Sequence, residues 1–286
     1  MNKVIYRYIY LFNTINMNIT LIIIFISTLY IIYKSWYIIL SIYYMYMNNI
    51  YIDGFVSYIY MYKEIFIDKC YDIDINDNMV IFDVGANIGL FTNYINSLNK
   101  NVKVYSFEPV VETFNKLKLN SKGENNILIN KALGNANEIS SINYIDNASS
   151  LSSINEFSID KLEAHNEIYN KYGIFKGIIK YFLEKEFNNS QKKQIEITTI
   201  STIIDEYNIE TIDILKIDVE GFELNVLKGI HLQDFYKIKN IFIEIENFRK
   251  ENRDNIYNIL VSNGFKIQEL EKGNWLMIKA INMNHI

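Results

Sequence analysis

From Met79 onward, short β-branched runs alternate with stretches of helical periodicity. "MVIFDV", "KVYSFE" and "NILINKAL" are separated by "LFTNYINSL" and "VETFNKLKLN"; later, "IDILKIDV" and "IKNIFIEIE" are followed by "FELNVLKGI" and "RDNIYNILVSN". Strands that alternate with helices pack as a parallel sheet covered on both faces, which sets the fold class as α/β. The last stretch, "FKIQELEKGNWLMIKAI", has no helix between its apolar halves and reads as two strands joined at Lys272, Gly273 and Asn274. An antiparallel hairpin is therefore expected at the C-terminal edge of an otherwise parallel sheet. No internal repeat is visible.

A chain of 286 residues holds one domain of ordinary size plus an appendage. With 28 basic and 33 acidic side chains, the net charge of -5 offers no footprint for gripping phosphate backbones, so no nucleic-acid partner is expected. Cys70 is the single cysteine, which excludes an internal disulfide, a Cys-rich zinc site and a three-cysteine iron–sulfur loop. The sequence does not specify an oligomeric state.

The composition shifts near residue 50, dividing the chain into a hydrophobic segment, 1–50, and a domain, 51–286. Between Ile19 and Met47 the only charge is Lys34, and the run exceeds the roughly 20 apolar residues that cross a bilayer. A membrane-spanning anchor is expected here, the other reading being a buried or interfacial helical hairpin broken near Lys34. Lys3 and Arg7 precede the run and no small-residue cleavage site follows it, which fits an uncleaved anchor better than a signal peptide. A single span with a cytoplasmic N-terminus would place the domain outside; a re-entrant or double pass would return it to the cytoplasm. Cofactor supply favours the second, so the expectation is a membrane-associated protein with a cytoplasmic catalytic domain.

"VIFDVGANIGLF" sets Asp83 at the end of the first strand and follows it with Gly85 and Gly89. In open α/β sheets ligands sit beyond the carboxyl ends of the strands, and glycine lets the turn approach a ligand without a Cβ in the way. Glu108 ends the second strand, where an acid commonly receives the two ribose hydroxyls of a nucleoside. The spacing is Gly-x-x-x-Gly, with an acid before it, and no Gly-Lys-Ser/Thr follows. That disfavours a dinucleotide pyrophosphate or a phosphate loop and favours a nucleoside carrying a positively charged amino-acid tail. S-adenosylmethionine fits.

Together, "VIFDVGANIGLFT", "VYSFEPV", "NKALGN", "ITTISTIIDEYNIETIDILKIDVEGFELNVLKGI" and "IFIEIE" resemble the FkbM-type methyltransferases, a class I S-adenosylmethionine-dependent family that mostly methylates hydroxyl oxygens of sugars and related natural products. The match runs in order from about Met79 to Glu246, with one insertion. The resemblance implies a Rossmann-like, seven-stranded sheet with a reversed last strand. It implies that Asp83, Gly85, Asn87 and Gly89 hold the methionine part of the cofactor, that Ala86 between them also binds it, that Glu108 holds the ribose, and that the turn around Ala132 flanks the adenine. Ser150, in "NASSLSS", resembles the family's small-polar stretch facing the cofactor.

"LKIDVEGFE" supplies the candidate catalytic residues. Methyl transfer to oxygen is an in-line displacement, so positioning supplies much of the rate, and a carboxylate that accepts the hydroxyl proton helps a weak nucleophile. Asp218 is the first candidate for base or hydroxyl-orienting group and Glu220 the second; the alternatives are a structural carboxylate for Asp218 and a helix cap for Glu220. Lys216 alternates with Asp218 on one strand face and is placed to neutralise it. His231 follows the motif and reads as an exposed helix-end residue more readily than a base. Glu244 and Glu246 alternate on the next strand, where one could line the cleft; no acidic triad is recognisable, and no metal is expected.

An insertion over about 151–194 reads as a helical pair broken near Gly173 and Gly177, suited to a lid, an interface or a second membrane contact, or to a plain decoration of the domain. The favoured function is O-methylation of a saccharide, glycolipid or related small molecule. The alternatives are a methyltransferase acting on a protein, a lipid or another small molecule, and a non-catalytic cofactor-binding membrane scaffold.

Overall fold

Six consecutive residues of one short segment, Ile212–Ile217, are all buried, a pattern that only the centre of a covered sheet imposes. The computed structural model describes residues 21, 24–28, 36–71, 74–146, 149, 152–154, 190–246, 250–272 and 275–285. The chain divides into two units, Met1–Asn48 and Asn49–Ile286. In the first unit, residues 24–28 and 36–48 are helical. Among the described residues no helix is long and apolar enough to cross a membrane. The span expected over 19–47 is therefore not found there, and the rest of that run lies outside the described residues.

The second unit begins with α1 (Phe55–Tyr62), which runs on into a π-helical turn, Lys63–Ile67. Then follow β1 (Val80–Val84), α2 (Leu90–Ser97), β2 (Lys103–Phe107), α3 (Val111–Asn120), β3 (Asn126–Ile129), β4 (Ala132–Leu133) and β5 (Glu138–Tyr144). After residues 155–189, which lie outside the description, come β6 (Gln191–Thr198), α4 (Ile200–Glu206), β7 (Ile212–Ile217), α5 (Glu223–Lys228), a 3-10 turn, β8 (Ile238–Glu246), α6 (Lys250–Ser262), β9 (Phe265–Lys272) and β10 (Trp275–Asn282).

Seven strands form the main sheet in the order β3-β2-β1-β7-β8-β10-β9. β10 lies antiparallel to both of its neighbours, while the β3-to-β8 pairings are all parallel. The α/β class and the C-terminal hairpin expected from the sequence are both present. The chain builds outward from β1 through β2 to β3, then returns to the other side of β1 as β7. That reversal opens a crevice at the carboxyl ends of β1 and β7, the place where such sheets bind ligands. Phe82, Phe107, Leu215, Ile217, Ile241 and Ile243 fill the core between sheet and helices, each buried side chain contributing roughly 1.5–3 kcal/mol of transfer free energy.

A second sheet, β4-β6-β5, lies beyond what the alternation of strands and helices announces. "NILINKAL" reads as one strand but is divided between the two sheets. Asn130 makes the break: its side-chain amide donates to the carbonyl oxygens of Glu108 at 2.8 Å and Pro109 at 2.9 Å, turning the chain between β3 and β4. β6 corrects the end of the expected insertion, since Gln191, Lys192, Lys193 and Gln194 pair with β5 as strand residues. Those four polar residues carry no apolar period; only Ile195 and Ile197, buried on either side of exposed Glu196, show the two-residue repeat. The helical pair expected in the insertion falls on residues outside the description.

Candidate functional site

A cavity opens where β1, β2, β7 and β8 end, lined among others by Gly85, Glu108, Asp218 and Glu244. Its floor is the turn after β1, stitched to both neighbouring strands. The amides of Gly85 and Ala86 donate to the Phe107 carbonyl at 3.1 and 2.9 Å, and the Asp218 amide donates to the Val84 carbonyl at 3.1 Å. Gly85 has φ +79°, and a Cβ there would stand 1.9 Å from the Asp218 carbonyl oxygen. Only glycine fits, because the two sequence motifs meet backbone to backbone at this point.

Gly89 has a different task. At φ +87° it precedes α2, and a Cβ would stand 2.7 Å from both Leu117 Cδ1 and Ser121 Oγ, so its bareness lets α2 pack against α3. It does not line the cavity. Neither does Asp83, which is fully buried and lies 3.1 Å from Lys216 Nζ. Thr92 Oγ1 donates to its other oxygen at 3.0 Å. Lys216 also lies 3.5 Å from Asp218 Oδ2, so the neutralising partner anticipated for Asp218 is present but has a nearer companion. Burial alone would depress the Lys216 ammonium; Asp83 and Asp218 overcome it and hold its pKa above the ordinary value.

Glu108 is 6% exposed. Its Oε1 accepts the Val110 amide at 2.9 Å and its Oε2 the Asn87 amide at 3.2 Å. Each carboxylate oxygen keeps a further lone pair, which is the equipment needed to receive a pair of hydroxyls. Burial, working against those two amides, pushes its pKa up to about 7. Asn87 joins this corner to the loop after β5, its Nδ2 donating to Ser149 Oγ at 3.1 Å. Ala86, Asn87 and Ala132 line the cavity with Glu108, as do Ile142 and Phe222. Ser150 lies outside the described residues, whereas its neighbour Ser149 is a lining residue; four serines in "NASSLSS" leave the phase unreadable in sequence.

Asp218 and Glu220 both line the opposite end. Glu220 does not open the following helix, as its candidate capping role required. It sits at φ 55° with Gly221 at φ 97°, so the chain turns before α5 begins, and Glu223 receives the Gly221 amide at 2.7 Å instead. Of the strand pair on β8, Glu244 lines the cavity. His231 does not line it, and its side chain is 60% exposed. Several lining residues had no signal in the sequence; Glu64 and Tyr71, among them, precede the first strand and belong to no periodic motif. Among the described residues, no group of His, Cys, Asp and Glu forms a metal-holding cluster.

Two of the acids that line the cavity make stability depend on pH. Burial, followed by the Asp218, Glu220 and Asp68 carboxylates, pushes Glu64 up to about 8 against the pull of Lys63. An acid held up in the folded state binds its proton more tightly there than in the unfolded chain. The stability this confers is complete below an unfolded carboxyl pKa of about 4. It is lost as pH climbs through about 7 for Glu108 and about 8 for Glu64. Ligand-free protein is therefore expected to melt at a lower temperature at pH 8.5 than at pH 6 in thermal denaturation; a higher melting temperature at pH 8.5 would contradict this placement of the acids.

Known proteins match this chain as follows. A family model for the methyltransferase FkbM domain matches residues 83–267. Methyltransferase sdnD of Sordaria araneosa is 30% identical over 204 residues, covering 65% of this chain and 73% of its own length. The 31-O-demethyl-FK506 methyltransferase FkbM of Streptomyces tacrolimicus is 25% identical over 193 residues, covering 66% of this chain and 74% of its own. Among solved structures, a methyltransferase FkbM from Methylobacillus flagellatus KT aligns with a TM-score of 0.46 and 15% identity, over 73% of this chain and 45% of that one.

Proposed function

Because the chain belongs to the FkbM methyltransferase family, we propose that it moves the methyl group of S-adenosylmethionine to a hydroxyl oxygen of a small molecule, with saccharides and glycolipids the acceptors to test first. The observation that carries the cofactor assignment is Glu108. A buried carboxylate, fixed by two backbone amides and facing a cavity, suits the two ribose hydroxyls of a nucleoside. The Gly85–Asn87 turn would hold the amino-acid tail, and Ala132, Ile142 and Phe222 would flank the adenine. The donor set also matches the ligand's charge: among the described residues, Lys216 is the one cation lining a cavity that holds Glu64, Glu108, Asp218, Glu220 and Glu244.

When bound, S-adenosylmethionine supplies an electrophilic methyl carbon on a positively charged sulfur. The protein's part is to align the acceptor hydroxyl with that carbon and to accommodate its proton. Asp218 stands at the end of the cavity away from Glu108, with one oxygen facing the Lys216 ammonium. That arrangement suits orientation of the hydroxyl through the other oxygen. The support for a hydroxyl acceptor is the family membership and the relative whose name states an O-demethyl substrate.

Calorimetric titration tests the cofactor assignment. Wild-type protein is expected to bind S-adenosylmethionine and not NAD. Glu108→Ala, which removes two charge-assisted hydrogen bonds, is expected to weaken binding on the order of 100-fold. A folded wild type that binds no S-adenosylmethionine would overturn the proposal.

A further inference from the structure

Part of the cavity wall is built by residues that precede β1. Glu64, Ile65 and Tyr71 line it, and the segment that carries them is pinned to the sheet by aromatic contacts. Phe66 meets Tyr94 of α2 edge-on at 5.5 Å, and Tyr71 meets Phe91 at 5.1 Å and Phe242 at 6.4 Å. The turn is π-helical, closed by the Asp68 amide donating to the Lys63 carbonyl at 2.8 Å. Such a turn shifts the helical register by a residue and re-aims the side chains on it, a device common at functional sites.

Strand register fixes what faces Glu64. Lys216 pairs with Phe242 and Ile217 with Ile243, so Glu244 follows beside Asp218 at the same carboxyl end of the sheet. Glu64 and Glu244 thus line the same cavity as Asp218 and Glu220, all four of them part-buried. Lys216, the cation there, already lies 3.1 Å from Asp83 and 3.5 Å from Asp218. Carboxyl groups gathered around one cavity disfavour one another's ionisation, and together they hold a proton. With the ribose held at Glu108 and the amino-acid tail at the Gly85 turn, the sulfonium of the methyl donor would lie between them in this same cavity.

We propose that Glu64 and Glu244 form an acid pair that answers the charge of the methyl donor, giving up a proton when the sulfonium arrives and leaving a carboxylate to take the proton of the acceptor hydroxyl. The inference rests on the cofactor assignment above. The step balances without a redox partner. The hydroxyl oxygen bonds to the methyl carbon as the carbon–sulfur bond breaks, the sulfur keeps the bonding pair and leaves as a neutral thioether, and the O–H proton passes to the carboxylate. The groups facing the pair are Asp218 and Glu220 from the turn after β7, Lys216 on β7, Tyr71, and Lys63 and Asp68 beside Glu64. Burial, then Asp218, Glu64 and Glu220, holds the Glu244 carboxyl well above its ordinary range, in line with Glu64 at about 8.

The test is calorimetric titration of the full-length protein at pH 7.5 in phosphate and in Tris, whose different ionisation enthalpies report the protons released. S-adenosylmethionine is compared with S-adenosylhomocysteine, which lacks the methyl group and the positive sulfur but keeps the ribose, so the Glu108 contribution is common to both. Wild type is expected to release more proton with the charged ligand than with the neutral one, and Glu64→Gln to lose that excess while binding both. Proton changes of the ligands themselves are the same for both proteins and drop out. Should Glu64→Gln fail to fold, Glu244→Gln reads the same pair. Equal release for the two ligands by wild type, or an excess that survives the substitution, overturns the pair. Absence of S-adenosylmethionine binding to wild type overturns the cofactor assignment, and this inference with it.

Discussion

Gly85→Ala is expected to cost the protein both the shape of its cavity and much of its stability. The added Cβ would stand 1.9 Å from the Asp218 carbonyl oxygen. Neither atom belongs to a flexible side chain that could swing aside. Relief requires the β1 turn to part from the β7 turn, breaking the hydrogen bond from the Asp218 amide to the Val84 carbonyl. At φ +79° alanine is also strained even where space is available. Backbone strain and overpacking in one place belong to the uncommon class of changes worth about 4 kcal/mol or more. In a domain of this size that corresponds to a fall in melting temperature on the order of 10 °C. Differential scanning calorimetry and S-adenosylmethionine titration measure the two effects; a variant that melts with wild type and binds as tightly would show that the motifs do not meet as described.

Lys216→Met should be comparably severe, for an electrostatic reason. Asp83 is fully buried, and its Oδ1 has the Lys216 ammonium at 3.1 Å. Methionine keeps the length and removes the charge, leaving a carboxylate in the core with only the Thr92 hydroxyl donating to its other oxygen. Breaking a buried pair from one side costs about 3–5 kcal/mol, because the remaining charge can be neither hydrated nor matched. Adding Asp83→Asn removes that charge and is expected to restore a large part of the loss, a non-additivity that urea denaturation of the two single variants and the double variant reads directly. If the double variant is as unstable as the sum of the singles, the pair is not what holds this strand junction.

β1, the turn at Gly85 and the acid at Glu108 were legible because strand period, glycine placement and an acid at the next strand end are local signals. The C-terminal hairpin was legible for the same reason, by the lack of a helix between its strands. Asp83 was not: an acid at a strand end looks the same whether it faces a ligand or a lysine far along the chain, and only the β1–β7 register puts Lys216 beside it. The need for Gly85 was visible while its cause, the Asp218 carbonyl, was a tertiary fact. Glu220 was expected to begin a helix because acids favour that position, and a pair of left-handed residues moved the start to Glu223. Glu64 had no local signal, since its position depends on a π turn and on aromatic contacts formed only in the folded state.

The pairing of β5 with β6 bears on how this enzyme diversifies. Tyr144, the last residue of β5, lies opposite Gln191, the first of β6, and Ser153 folds back to bridge Asn143. Everything between residues 155 and 190 therefore leaves and re-enters the sheet at neighbouring points. Lengthening a connection whose ends are already held together adds little closure cost, which grows only with the logarithm of its length. A recombination event could exchange that segment whole, with Glu108, Gly85 and Asp218 left in register. The same junction is a natural splice site for replacing residues 155–189 as one piece.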